Sequence, residues 1–146
     1  MKKLFGKSVL AAALGMAALL VAAPAGAQGA VGMRVAVPFA FLAADAVLPA
    51  GEYEFVLNRQ FQTMDVRAIH ETRSHRVFLR FPAEERRGET SQLGSIRFVK
   101  YGDAYILKGV WTAGSRAGFQ VQRSKRESEL AQNYSGEVKE IEAVLR

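Results

Sequence analysis

The sequence contains no cysteine. This absence excludes disulfide bonds, a thiol nucleophile, thiolate metal ligands, iron–sulfur clusters and lipid attachment at a lipobox cysteine. A domain that folds in an oxidising compartment without disulfides depends on side-chain packing and sheet hydrogen bonds.

Histidine is almost as scarce, because His70 and His75 are the only two. They lie five positions apart across a predicted turn, and only Asp65 and Glu71 stand nearby as further ligands. Zinc requires three or four ligands. We therefore interpret both histidines as solvated turn residues and predict neither a metal nor another cofactor.

Only one long apolar run is present, and it lies close to the start of the chain. Three lysines precede an apolar stretch from about Val9 to Ala23, and Ala25-Gly26-Ala27 then supplies small residues. This order is typical of a secretory signal peptide, and the alanine-rich run is short of the roughly 20 strongly apolar residues of a membrane span. We expect residues 1–27 to be cleaved. The mature protein would begin at Gln28, be periplasmic or extracellular, and retain no membrane span.

Residues 28–146 carry only a small excess of positive charge. The full chain has a formal charge of +6, but three of its 20 Lys and Arg lie in the first 27 residues, leaving 17 against 14 acidic residues. Such a balance argues against a nucleic-acid-binding protein and permits contact with anionic surfaces. Residues 28–146 are long enough for one domain with a single core.

A basic patch beside a charged loop is one way in which this charge could be used. Its six candidate residues are Arg80, Arg86, Arg87, Arg97, Lys100 and Lys108. Three glutamates within the same region, Glu84, Glu85 and Glu89, favour a mixed solvated surface instead.

Alternation of apolar and polar residues dominates the rest of the chain. It predicts strands over 34–41, 52–58, 64–68, 77–81, 96–98, 105–111 and 119–121. Pro38 lacks a backbone N–H and indicates a sheet edge or a bulge. Short strands at even spacing predict an all-β fold, a single antiparallel β-sandwich or small β-barrel of about seven or eight strands.

Two segments interrupt this pattern. Leu48-Pro49-Ala50-Gly51 has the residues of a β-turn and predicts a corner that starts the next strand. Ser124 and Glu127 form a capping box that predicts one short helix, which ends before Gly136. The tail 137–146 fits either a closing strand or further helix, and the strand is favoured.

Both ends of residues 28–146 resemble a known family. The stretches VPFAFLAADAVLPAGEYEF (37–55) and YGDAYILKGVWTAGSRAGFQVQRSKRESELA (101–131) are similar to the opening and the ending of a family of small, uncharacterised secreted bacterial proteins. The resemblance is weaker between about 60 and 95. It implies a signal-bearing, mostly β protein and supplies no catalytic residues.

Two residues were weighed as catalytic candidates. Asp103 occupies a predicted hairpin turn, where aspartate usually binds its own backbone, and no second carboxylate is indicated. Ser115 has small neighbours but lacks the G-x-S-x-G elbow, and its base would have to be one of the two histidines. We therefore predict no catalytic residues.

Aromatic residues offer the most specific functional hypothesis. Five of them are predicted to face inward, where they would either line an apolar pocket or fill an ordinary core: Tyr53, Phe55, Tyr105, Trp111 and Phe119. The function expected from the sequence is a non-catalytic exported module that binds a partner or an apolar ligand. The alternatives are a structural protein of the cell envelope that pairs through sheet edges, and a secreted hydrolase.

Overall fold

The computed structural model describes residues 30–80 and 91–145. The signal-peptide prediction and the charged-loop residues 84–89 lie outside the described residues. The elements, in chain order, are β1 (Ala30–Val37), β2 (Phe41–Ala43), β3 (Ala46–Leu48), β4 (Gly51–Asn58), β5 (Thr63–Ala68), β6 (Ser74–Arg80), β7 (Gly94–Tyr101), β8 (Ala104–Trp111), β9 (Phe119–Val121), α1 (Lys125–Asn133) and β10 (Gly136–Leu145).

Eight of these strands form a closed antiparallel barrel. Their order is β8–β7–β10–β1–β4–β5–β6–β9, and β9 pairs with β8 to complete the ring. The two extra strands, β2 and β3, form a hairpin that joins the start of β8 through a parallel pairing. The prediction of a small all-β barrel with one short helix is confirmed, and the tail is a strand.

The alternation in the sequence places the core correctly in the first long strands. Val35 and Val37 of β1 are buried, as are Tyr53 and Phe55 of β4, whereas Ala36, between the two valines, is exposed. The two strands pair along their full lengths, with Val35 opposite Tyr53. Because side chains alternate across a strand, this register directs both apolar sets into the barrel.

The first strand begins and ends four residues earlier than predicted, and its last residue is Val37, directly before Pro38. Proline has no N–H with which to continue the ladder. The chain turns inward there, and Phe39 and Phe41 close the upper end of the barrel, which we define as the end where β1 finishes and β4 begins. Strands β2 and β3 cover Phe41–Ala43 and Ala46–Leu48, although no strand is predicted between residues 42 and 51.

Phe39 and Phe41 together form a plug at the upper end of the barrel. Phe41 lies at the centre of its ring contacts. Its ring centroid is 5.1 Å from that of Tyr53, 5.2 Å from that of Phe98 and 6.5 Å from that of Phe55. Such aromatic contacts add to the gain from burying the rings. Phe41 therefore joins the inserted segment to β4 and β7.

The Leu48–Gly51 stretch is the corner that the sequence predicted. It connects β3 to β4, and the Tyr53 hydroxyl donates a hydrogen bond of 2.6 Å to the carbonyl oxygen of Pro49. Leu48 is buried in the barrel core. The corner is thus fixed both by a hydrogen bond and by apolar burial.

The helix packs on the outside of the barrel. Ser124 caps it by accepting a hydrogen bond of 3.1 Å from the Glu127 N–H, as predicted. Leu130 and Ala131 then pack on a second apolar cluster formed by Leu42, Tyr101 and Ile106. This contact ties α1 to β2, β7 and β8, and β10 starts three residues after the helix ends.

Glu127 also takes part in a buried ion pair. Its Oε1 lies 2.7 Å from Nζ of Lys108 on β8 and 3.5 Å from Nε of Arg123. The side chains of Glu127 and Lys108 are 2% and 12% exposed. The carboxylate that the capping box was expected to turn toward Ser124 instead binds the helix to the barrel wall.

Removing the aromatic ring of Phe41 should destabilise the protein. We expect Phe41→Ala to lower the free energy of unfolding by about 3–5 kcal/mol, because it empties a site at which the ring is 1% exposed. Urea denaturation provides the measurement. Val47→Ala, at a residue of the adjoining strand that is 60% exposed, is the control and should change stability by less than about 0.5 kcal/mol. Equal losses would contradict the assignment of Phe41 to the core.

The buried ion pair generates a second prediction. Lys108→Met should destabilise the protein by about 3 kcal/mol, because the carboxylate of Glu127 keeps only the more distant Arg123. The double variant Lys108→Met/Glu127→Leu should recover most of this loss, since no buried charge remains. The urea midpoints of both variants measure the loss and its recovery. A double variant as unstable as the single one would show that the pair itself, and not the orphaned charge, sets the stability.

Candidate functional site

Three of the five aromatics predicted to face inward, Tyr53, Phe55 and Tyr105, belong to one packed cluster inside the barrel. Tyr53 and Phe55 contact Phe41, and Tyr105 stacks on Phe39 with the ring centroids 3.8 Å apart. Tyr53 and Phe55 are fully buried. These rings fill space against one another, as core aromatics do.

Phe119 also faces the interior, but at the lower end of the barrel. It is half-buried, lies opposite Val110 of β8, and packs against the core. It borders a shallow surface pocket with Arg59, Thr112 and Ser115. The structure therefore does not bring Phe119 together with the other inward rings in one cavity.

Trp111 lies on the outer face of the barrel, contrary to the prediction. The register between β7 and β8 shifts at Arg97 and Phe98, so that Leu107 and Gly109 lie opposite consecutive residues and Lys108 is the extra one. Such a bulge moves the following side chains to the other face. The simple alternation that put Trp111 on the same face as Leu107 could not reveal this extra residue.

Trp111 is nevertheless buried, because neighbouring residues cover its ring on the outer face. The Arg97 guanidinium lies 4.2 Å from the centroid of its ring, and a Cβ on Gly118 would come within 2.5 Å of the indole. Glycine is thus required at 118 because the chain crosses directly over the indole ring. The loop after β8 folds back onto the wall through this contact.

The two histidines lie at the upper end of the barrel. His70 is exposed and His75 is half-buried, and both border a surface depression with Tyr53 and Glu71. Across residues 30–80 and 91–145, no three His, Asp or Glu side chains lie close enough to hold a metal ion.

Of the two catalytic candidates, Ser115 lies at the opposite end of the barrel from these histidines. Ser115 follows β8 at the lower end, and its hydroxyl donates a hydrogen bond of 2.6 Å to the carbonyl oxygen of Ala117. Asp103 is exposed in the turn between β7 and β8, beside Gly102 with its φ of 59°. Neither His70 nor His75 is placed to act as a base for Ser115, because the length of the barrel separates them.

The basic residues do not form a common patch where they are described. Arg97 covers Trp111, Lys108 is bound to Glu127, and Lys100 lies over the ring of Tyr105, 5.6 Å from its centroid. Arg80 is exposed on β6, on another side of the barrel. Arg86 and Arg87 lie outside the described residues.

In the described part of the chain, the first half of β10 has a strand partner on one side only. This strand pairs with β7 over eight residues, from Gly136 to Ala143, but with β1 at only two, Val144 and Leu145. If the register between β1 and β10 continued to the upper end, Val37, the last residue of β1, would lie opposite Ile141. Residues Gly136–Glu140 therefore extend past the end of β1, and we call this five-residue stretch the overhang.

Exposure of the side chains agrees with this register. Val138, on the outer face, is 61% exposed. Glu137 and Lys139 are also exposed, although the pairing of Lys139 with Phe98 directs them toward the inner face. Solvent thus reaches the overhang from both faces.

The overhang is held rigidly on its other side. It pairs residue for residue with β7, from Gly136 opposite Tyr101 to Glu140 opposite Arg97. Glu140 also accepts a hydrogen bond of 2.6 Å from Ser95 Oγ. Along the edge that β1 does not reach, no described strand pairs with the overhang, so one row of backbone N–H and C=O groups faces outward there.

Sequence reasoning did not identify this edge. The alternation of Ile141, Ala143 and Leu145 indicated a strand, but the length of a strand relative to its neighbour depends on register. The signal that was available is Pro38, because it predicted a sheet edge near the end of β1.

Comparison of the chain with protein-family models, curated proteins and solved structures finds no match. No helix in the described part of the chain is both long enough and apolar enough to cross a membrane.

Tyr53 should make stability sensitive to alkaline pH. Its pKa is raised above 10.0, first by burial and then by the nearby charge of Glu71. The folded state therefore holds this proton more tightly than the unfolded state, so its contribution is complete below about pH 10 and is lost as pH rises through the raised pKa.

Tyr53→Phe tests this contribution. At neutral pH the variant should lose about 1 kcal/mol, because Pro49 loses its hydrogen-bond donor. Between about pH 9 and pH 11 it should then lose less stability than the wild type, as followed by urea denaturation. Parallel pH profiles of the two proteins would contradict the assignment, since the other tyrosines are common to both.

Proposed function

We propose that this protein is a non-catalytic binding module that recruits a partner protein by accepting an extended strand along the overhang of β10. The observation that carries the proposal is that no described strand pairs with the backbone of Gly136–Lys139 on the side that faces β1. An exposed edge of this kind is a template for strand addition, in which backbone hydrogen bonds supply affinity and side chains supply selectivity.

The placement of the aromatics supports a protein partner over an apolar ligand. Tyr53, Phe55 and Tyr105 pack against the rings of Phe39 and Phe41, which occupy the upper end of the barrel. A ligand entering there would have to displace this packing.

The separation of the candidate catalytic groups supports a non-catalytic role. Ser115 and the two histidines lie at opposite ends of the barrel, and Ser115 uses its proton in a local hydrogen bond. A hydrolase that uses these residues is accordingly the weaker alternative.

Residues 1–27 support an exported location, periplasmic or extracellular, because they have the three-part order of a signal peptide. Partners are therefore to be sought among exported proteins, including those of the cell envelope.

Site-specific photocrosslinking tests the proposal. A benzophenone amino acid would replace Val138 on the overhang or, as the matched control, Val47 on β3. The two valines are 61% and 60% exposed, so they differ in place and not in accessibility. We expect a discrete crosslinked species from position 138 and none from position 47, in cells that produce the protein.

Hydrogen exchange supplies the second readout. Backbone amides of the overhang should exchange more slowly in the isolated complex than in the free protein, because strand addition occupies backbone groups. Equal crosslinking from both positions, or no crosslink at 138 together with unchanged exchange, would rule the proposal out.

A further inference from the structure

The residues of the overhang alternate in charge along the strand. In chain order they are Gly136, Glu137, Val138, Lys139 and Glu140. A strand that pairs with them in an antiparallel sheet places side chains on the same face directly opposite one another, where opposite charges attract and like charges repel. The identity of each facing residue therefore decides which strand fits.

A second copy of the same strand meets this requirement in a particular register. Two copies related by a two-fold axis through the sheet pair antiparallel, and the axis must pass through a residue so that both outer faces remain on the same side. Three such axes pair at least three overhang residues from each copy. They pass through Glu137, Val138 or Lys139.

Two of these three registers are unfavourable. An axis through Glu137 places the two copies of that glutamate opposite each other, and an axis through Lys139 does the same for the two lysines. Like charges directly opposite each other destabilise a sheet.

An axis through Val138 places no like charges opposite each other. Glu137 of each copy then lies opposite Lys139 of the other, the two exposed valines meet on the axis, and Glu140 lies opposite Gly136, which carries no side chain. This register is also the one that pairs all five residues of the overhang.

From this complementarity we infer that the strand accepted by the overhang is β10 of a second copy of this chain, in the antiparallel register centred on Val138. The inference rests on the proposed function and names its partner. The contact uses residues beyond the end of β1, so the barrel does not have to open. The joined sheet continues from β7 through the two copies of β10 to the partner's β7.

Position 138 provides a clean chemical test because the chain has no cysteine. Val138→Cys should be converted to a covalent dimer by a short bis-maleimide crosslinker, since the two positions face each other across the axis. Val47→Cys, at an equally exposed valine, is the control and should remain monomeric. The protein is purified from a host that exports it, and its mass identifies its first residue.

Charge exchange tests the register. Glu137→Lys and Lys139→Glu each replace two attractive pairs with two repulsive ones, and each should weaken dimerisation by about tenfold or more in sedimentation velocity. A mixture of the two variants should restore it as a heterodimer, because one copy then presents two lysines to two glutamates. The double variant Glu137→Lys/Lys139→Glu should also dimerise.

Two controls accompany these variants. Lys125→Glu, an exposed charge change on α1, should leave the dimer unaffected. Thermal unfolding checks that each variant is folded, which matters most for Glu137→Lys because it places a lysine opposite Lys100 of β7.

The outcomes separate this inference from the proposed function. A monomer at near-millimolar concentration, equal crosslinking of the two cysteine variants, or charge variants that dimerise like the wild type would overturn the second-copy assignment. If position 138 still photocrosslinks to a different protein, the strand-accepting function stands and only its partner changes. If it crosslinks to nothing and hydrogen exchange of the overhang is unchanged, both fail.

Discussion

The missing N–H of Pro38 is the constraint on which most of this architecture depends. Strand β1 ends one residue earlier, at Val37, because the ladder cannot continue through proline. The chain then turns into the barrel, where Phe39 and Phe41 pack against rings of β4, β7 and β8. The same stop leaves Gly136–Glu140 of β10 beyond the end of β1, although pairing between the two strands already ends at Arg34 and Val144.

The outer wall is organised around a second irregularity, the extra residue in β8. Lys108 at this bulge reaches the buried carboxylate of Glu127 and binds α1 to the barrel, while Trp111 turns outward beneath Arg97 and Gly118. Since β10 begins three residues after α1 ends, anchoring the helix also fixes where the overhang starts. The position of the proposed binding edge thus depends on a buried ion pair on the adjoining wall.

Among the described residues, the aromatic rings of the barrel interior pack against one another, and the outer surface carries the charges and strand edges. Most outward charges of β4 and β5 are engaged locally, as Arg67 is with Glu54 and Arg76 with Asp65. The overhang differs because it offers backbone groups, whose hydrogen bonds do not depend on the partner's sequence. Its alternating glutamate and lysine would then discriminate among strands, which is how an otherwise permissive edge becomes selective.

The sequence by itself determined the features that arise from local chemistry. Alternation predicted the inward sets of β1 and β4, the proline and glycine of Leu48–Gly51 predicted the corner, and Ser124 predicted the start of α1; each depends on residues close together in the chain. Only the tertiary structure decided the outward position of Trp111 and the length of β10 beyond β1. A bulge and a register are properties of two paired strands, and neither strand's own pattern records how its partner is aligned.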